Sequence, residues 1–154
     1  MAKIISLGCK AADIHHRYSA VHSSLFGAFS YRLVITALLG KTERSYGKYE
    51  QTLDGLWKEL VGLDEQIAGT TAEERVSHGS DQLHQILIDY THTLHDVIAH
   101  LQDICRKLRE DEEEYRTLDA KGQSRFNRDK IAYDHSIIQL ERLGTKLNKL
   151  FSTY

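Results

Sequence analysis

The chain has no proline, so no helix along it is broken by a missing backbone donor. Cysteine is nearly absent as well. Cys9 and Cys105 stand alone, which excludes a disulfide framework and points to reduced thiols in a cytoplasmic protein. An excess of one charge is also missing. The formal net charge of −2 lacks the basic footprint of a dedicated nucleic-acid binder, so no nucleic-acid partner is expected. Long hydrophobic runs are missing too. The most apolar stretch, Leu25 to Leu39, contains Arg32 and falls short of the roughly 20 residues of a membrane span, so it reads as buried helix. Met1 to Lys10 lack the apolar core of a secretory signal, and Ser6 stands where a lipoprotein cleavage site needs an aliphatic residue.

What the sequence does have is helical rhythm. Its 154 residues, 41% hydrophobic and 27% charged, suffice for one helical domain spanning 1–154 with a sizeable core. Apolar residues recur in a 3-4-3-4 pattern in four segments. The first runs Ile4, Leu7, Ala11, Ile14, Tyr18, Val21, Leu25, Ala28, with Gly8, Ala12 and Gly27 beside it to allow close helix approach. The second runs Tyr46, Tyr49, Leu53, Leu56, Leu60, Leu63, Ile67, and the third runs from Leu83 through Tyr90, Val97 and Leu108 to Tyr115 and Leu118. The last carries Phe126, Tyr133, Ile137, Leu140, Leu147, Leu150 and Phe151. A period near 3.5 is the seam of helices packed lengthwise. The fold class is therefore all-α, with long antiparallel helices in a coiled-coil-like bundle: three long, kinked helices, or four if Gly40 is a true break. Thr71 with Glu74 has capping-box spacing and predicts a short helical turn, and Asp119 to Asn127, containing Gly122, is the natural reversal.

A second stripe runs beside the third seam: His84, Ile88, Thr91, His95, Ile98, Gln102, Cys105. Trp57 and Val61 flank the second seam in the same way. A helix with two semi-apolar faces touches an additional partner, either within the fold or in a dimer, and self-association is the favoured reading.

Chemistry is harder to find. Asp13 with His16, and Asp89 with His92, share helix faces at i, i+3, as in metal-binding bundles, but the matching interior glutamates are missing: Glu43, Glu50, Glu59 and Glu65 lie off the second seam. No metal and no cofactor is expected. There is no Gly-x-Ser-x-Gly, no phosphate-cradling glycine loop and no histidine spaced to activate either cysteine, so no enzymatic activity is expected. Basic residues are more informative. Arg106, Lys107 and Arg109 precede the acidic run Asp111 to Glu114, and Lys121, Arg125, Arg128 and Lys130 gather at the reversal beside Phe126, expected to be exposed. Near an anionic membrane each such charge contributes roughly 1 kcal/mol, so these seven are the expected membrane-binding residues.

The order of these segments resembles the BAR domains of sorting nexins. The resemblance rests on Phe29 through Leu39-Gly40, on Leu53, Leu56 and Leu60 leading to Leu63-Asp64-Glu65-Gln66-Ile67, and on Leu87-Ile88-Asp89-Tyr90 with Leu94 and Val97. Lys130-Ile131 through Ile138 and Leu140-Glu141-Arg142 looks like the start of the family's last helix. The family implies a crescent-shaped homodimer, or a heterodimer with a related chain, that senses or shapes curvature on cytoplasmic faces of endosomal membranes during sorting. Anionic or phosphoinositide lipid would be the partner surface. Trp57, Val61, Ile88, His95 and Ile98 would fall at the dimer centre. The lipid-binding PX domain of that family has no counterpart here, so the chain is read as a fragment or a compact variant. The alternative is a helical-bundle adaptor that binds another protein through an exposed apolar stripe.

Overall fold

The computed structural model describes residues 2–27, 46–70 and 80–152. Among them are four α-helices and no strand: α1 (Ala2–His22), extended by a π-helical turn (Ser23–Gly27), α2 (Tyr46–Ala68), α3 (Ser80–Arg116) and α4 (Arg125–Phe151). Gly40 and the turn expected at Thr71 lie outside the described residues.

Each helix follows one apolar seam. Ile4, Leu7, Ala11, Ile14, Tyr18, Val21 and Leu25 are buried on α1, and Leu53, Leu56, Leu60, Leu63 and Ile67 on α2. Leu83, Leu87, Leu94, Val97 and Leu101 on α3 are fully enclosed, and Tyr133, Leu140 and Leu147 complete the core from α4. Side-chain pairs fix the directions. Lys10 reaches Gln66 at 3.1 Å and Arg17 reaches Glu59 at 2.6 Å, so α1 and α2 are antiparallel. Asp64 meets His95, and Glu50 meets Arg109, which sets α3 antiparallel to α2. Lys107 meets Asp129 at 2.9 Å on α4. The ring closes with His22 of α1 on Tyr133 of α4 at 2.7 Å, while Phe151 packs against Gly8. The result is an up-down-up-down four-helix bundle. Among the described residues the helices number four, with α1 and α2 running in opposite directions; the break expected at Gly40 lies outside those residues.

Gly8 permits that closure: a side chain there would enter the Phe151 ring. Ala12, expected to serve the same purpose, faces solvent instead. Near its end α3 kinks at Asp111, which is extended (φ −157°, ψ 70°). The Asp111 carboxylate accepts from the Glu114 amide at 3.4 Å, so it caps the final turn as an N-cap residue would. Leu118, expected on the α3 seam, falls beyond the helix and is 61% exposed. The reversal is built by Asp119, whose carboxylate accepts from the amides of Lys121 (2.8 Å) and Gln123 (3.0 Å). Gly122 takes the left-handed φ of +76° that this tight loop needs. Ser124 then caps α4 by accepting from Asn127 at 3.0 Å. Because Tyr46 at the start of α2 meets Glu112, the loop 117–124 projects past the described ends of α1 and α2.

Candidate functional site

The cations expected to meet lipid are mostly held by carboxylates of the same chain. Arg106 pairs with Asp103, and Lys107 with both Asp103 (3.0 Å) and Asp129 (2.9 Å). Arg109 binds Glu50, Arg128 binds Asp119 at 2.8 Å, and Lys130 binds Asp134 at 2.6 Å. Three of these contacts, Arg109–Glu50, Lys107–Asp129 and Arg128–Asp119, tie one segment to another, so the charges serve the fold. Asp119 is held below the usual carboxylate range by the backbone amides of Gln123 and Lys121, with Arg128 adding to it. Lys121 and Arg125 are exposed and make no ion pair among the described residues, although Glu114 feels the charge of Arg125. Glu110, Asp111, Glu113 and Glu114 are exposed at the same end of the bundle. The hairpin end is therefore not a purely cationic tip. Phe126 is also not exposed: it is half-buried, edge-on to Tyr115 (5.7 Å) and covered by the Arg116 guanidinium at 4.9 Å. Leu118 is the exposed apolar residue of the loop.

The second stripe of α3 is covered from within. Ile98 and Cys105 are fully buried, and Thr91 and His84 nearly so. His84 Nε2 donates to the Ile67 carbonyl of α2 at 3.1 Å. His95 bonds Asp64 and stands edge-on to Trp57, with ring centroids 4.4 Å apart. Of the residues placed at a dimer centre, Ile98 is thus buried within the chain and His95 is engaged by Asp64 and Trp57 of α2. Trp57 and Ile88 are half-buried, and Val61 alone is well exposed, at 41%. The sequence left open whether this stripe met a partner inside the fold or in a dimer. His84, Thr91, Ile98 and Cys105 are covered inside the fold, while Ile88, Gln102, Trp57 and Val61 keep exposed surface.

Among the described residues no group of three or more His, Cys, Asp or Glu side chains is gathered to hold a metal ion. Asp13 pairs with Arg17 at 2.9 Å and Asp89 accepts from Gln85. Burial, with Glu50 nearby, pushes the Cys105 thiol up to about 12, which keeps it protonated and unreactive. No described helix is long and apolar enough to cross a membrane.

One surface escaped the sequence reading. The face of α4 opposite Tyr133, Leu140 and Leu147 carries Ile131, His135, Ile138, Arg142, Lys146 and Lys149, all exposed. At 100° per residue these six lie within one stripe. Ile131 is 52% and Ile138 48% exposed. Arg142, Lys146 and Lys149 have no carboxylate partner among the described residues. The nearest α4 carboxylates, Asp134 and Glu141, sit on the flank toward α1, where they act on His22 and His15. The stripe from Ile131 to Lys149 is about 27 Å long and has a single sign of charge. Its i, i+7 pair of isoleucines next to cations was the signal in the sequence. No protein-family model, curated protein or solved structure matches this chain.

Proposed function

We propose that this protein is a non-catalytic helical module that attaches peripherally to anionic membrane surfaces through the outer face of α4. The observation that carries this reading is the stripe of Ile131, Ile138, Arg142, Lys146 and Lys149, where cations and apolar side chains share an exposed face with no carboxylate among them. A basic amphipathic face of this kind fits a broad anionic surface.

Magnitudes shape the rest of the proposal. Three cations contribute roughly 3 kcal/mol near anionic lipid, and two half-exposed isoleucines add about 1 kcal/mol each. That total gives only weak, reversible attachment, comparable to a single acyl chain. Two faces acting together in a dimer would hold far longer. The finer reading is accordingly a dimer that senses or shapes curvature in endosomal sorting, as the resemblance to sorting-nexin BAR domains implies. Ile131 and Ile138 equally suit the second reading, an adaptor that docks an apolar stripe of another protein.

Sedimentation of the full chain with phosphatidylcholine vesicles, with and without phosphatidylserine, separates the two. Binding only to the phosphatidylserine vesicles is expected, fading as salt shortens the Debye length from about 10 Å at 0.1 M to about 3 Å at 1 M. Absence of binding at low salt would leave the adaptor. Light scattering on the same sample reads the dimer, as a mass of twice 17.6 kDa.

A further inference from the structure

Most of the bundle's core is aliphatic, but the contact between α1 and the α3–α4 hairpin is polar at its centre. The His15 ring hydrogen-bonds the Tyr90 hydroxyl of α3 through Nδ1. Close by, the Tyr18 hydroxyl bonds the Tyr133 hydroxyl of α4, and the same Tyr133 hydroxyl lies 2.7 Å from His22 Nδ1. His22 stacks on Tyr133 with centroids 5.6 Å apart and lies 5.2 Å from Phe26. The Lys130 ammonium sits over both of those rings, 4.6 Å from Phe26 and 5.8 Å from Tyr133. His22 and Lys130 therefore share two aromatic neighbours.

We propose that His15 and His22 form a proton-sensitive latch, whose protonation loosens the second half of α1 from the hairpin while α2, α3 and α4 stay packed. A neutral imidazole with its proton on Nε2 can accept a hydrogen bond from the tyrosine hydroxyl at Nδ1, whereas an imidazolium cannot. Protonation would thus strip Tyr90 and Tyr133 of an acceptor and set a second cation beside Lys130. The surrounding charges are mixed. His15 faces Tyr90 of α3 and Glu141 of α4, with His16 on its own helix. His22 faces Lys130, Asp134, Glu141 and Tyr133 of α4, with Tyr18 and Phe26 on its own segment. α2 meets α1 on another flank, where Glu59 engages Arg17.

Burial lowers the affinity of both rings for a proton, and Lys130 lowers that of His22 further; the two carboxylates only partly offset this. A ring whose folded value is depressed contributes stability that is present above its ordinary 6.5 and is lost as pH falls below it. At pH 5.5 the ceiling is roughly tenfold more opening per ring, reached if the closed ring takes up no proton.

Hydrogen exchange of the full chain at pH 7.5 and 5.5, corrected for intrinsic rates, tests the latch. The expected result is a loss of protection in α1 from about Ala12 onward that exceeds the loss in the middle of α3 by severalfold. His15→Gln with His22→Gln should remove that excess. A parallel fall in α1 and α3 would overturn the proposal. Should the double variant fail to fold, histidine side-chain NMR of the unaltered protein decides. His15 and His22 should titrate below the ordinary imidazole value of 6.5, and titration at or above it would also overturn the proposal.

Discussion

Replacing Arg142, Lys146 and Lys149 together by glutamate is expected to cut binding to phosphatidylserine vesicles by at least about a hundredfold. Each cation contributes roughly 1 kcal/mol near an anionic surface, and each reversal replaces attraction with repulsion. A hundredfold loss corresponds to about 2.7 kcal/mol, which loss of the three attractions alone would supply. The three side chains are exposed and engage no carboxylate, so the melting temperature should stay within a few degrees of the unaltered protein. Arg109→Glu makes the informative contrast. Arg109 holds Glu50 across the α2–α3 contact, so its reversal should disturb folding and leave vesicle affinity nearly unchanged. Sedimentation with vesicles and thermal melts by circular dichroism read both outcomes. If the Arg109 variant loses vesicle binding while the triple variant keeps it, the contact lies on the wrong face.

The largest stability effect is expected at Tyr133. Tyr133→Ala should cost about 3–5 kcal/mol, as truncation of a buried large aromatic does. For a chain of this size that lowers the melting temperature by roughly 10 °C or more. Tyr133 is fully buried, stacks on His22, lies against Phe26 at 5.7 Å, and shares its hydroxyl with Tyr18. The alanine would therefore open a cavity and also strand two polar groups of α1. Tyr133→Phe separates these contributions. It keeps the ring but leaves the Tyr18 hydroxyl and His22 short of a partner, at a cost of about 1–3 kcal/mol. Thermal melts of the two variants check the order, and a phenylalanine variant as unstable as the alanine one would contradict it.

The seams were legible because burial in a helix bundle is a local, periodic property. Leu53, Leu56, Leu60 and Leu63 on α2, and Leu87, Leu94 and Leu101 on α3, occupy the core where their spacing puts them. Pairs within one helix were equally within reach, since Lys130–Asp134 and Lys107–Asp103 are both four residues apart. Contacts between helices were not. Glu50 meets Arg109 across 59 residues, and Tyr18 meets Tyr133 across 115, so a pattern confined to one helix could not assign either partner. The same reason explains the stripe holding His95 and Ile98. Its apolar character was visible, but whether α2 or a second protomer covers it depends on the helix ring as a whole. The α4 face was visible in principle. Ile131, Ile138, Arg142 and Lys149 fall in register, whereas the pairing of Lys107 with Asp129 and of Arg128 with Asp119 depends on carboxylates that only the fold brings near.

The attachment face itself is open to a single direct measurement. An environment-sensitive fluorophore is placed by Ile138→Cys on α4, or by Val61→Cys on α2 at the far side of the bundle, each with Cys9→Ser; Cys105 is buried and does not compete. On adding phosphatidylserine vesicles at low salt, the probe at 138 should shift to the blue as it enters an apolar environment, while the probe at 61 stays unchanged. Equal shifts at both positions, or a shift at 61 alone, would contradict the assignment of α4 as the membrane-facing helix.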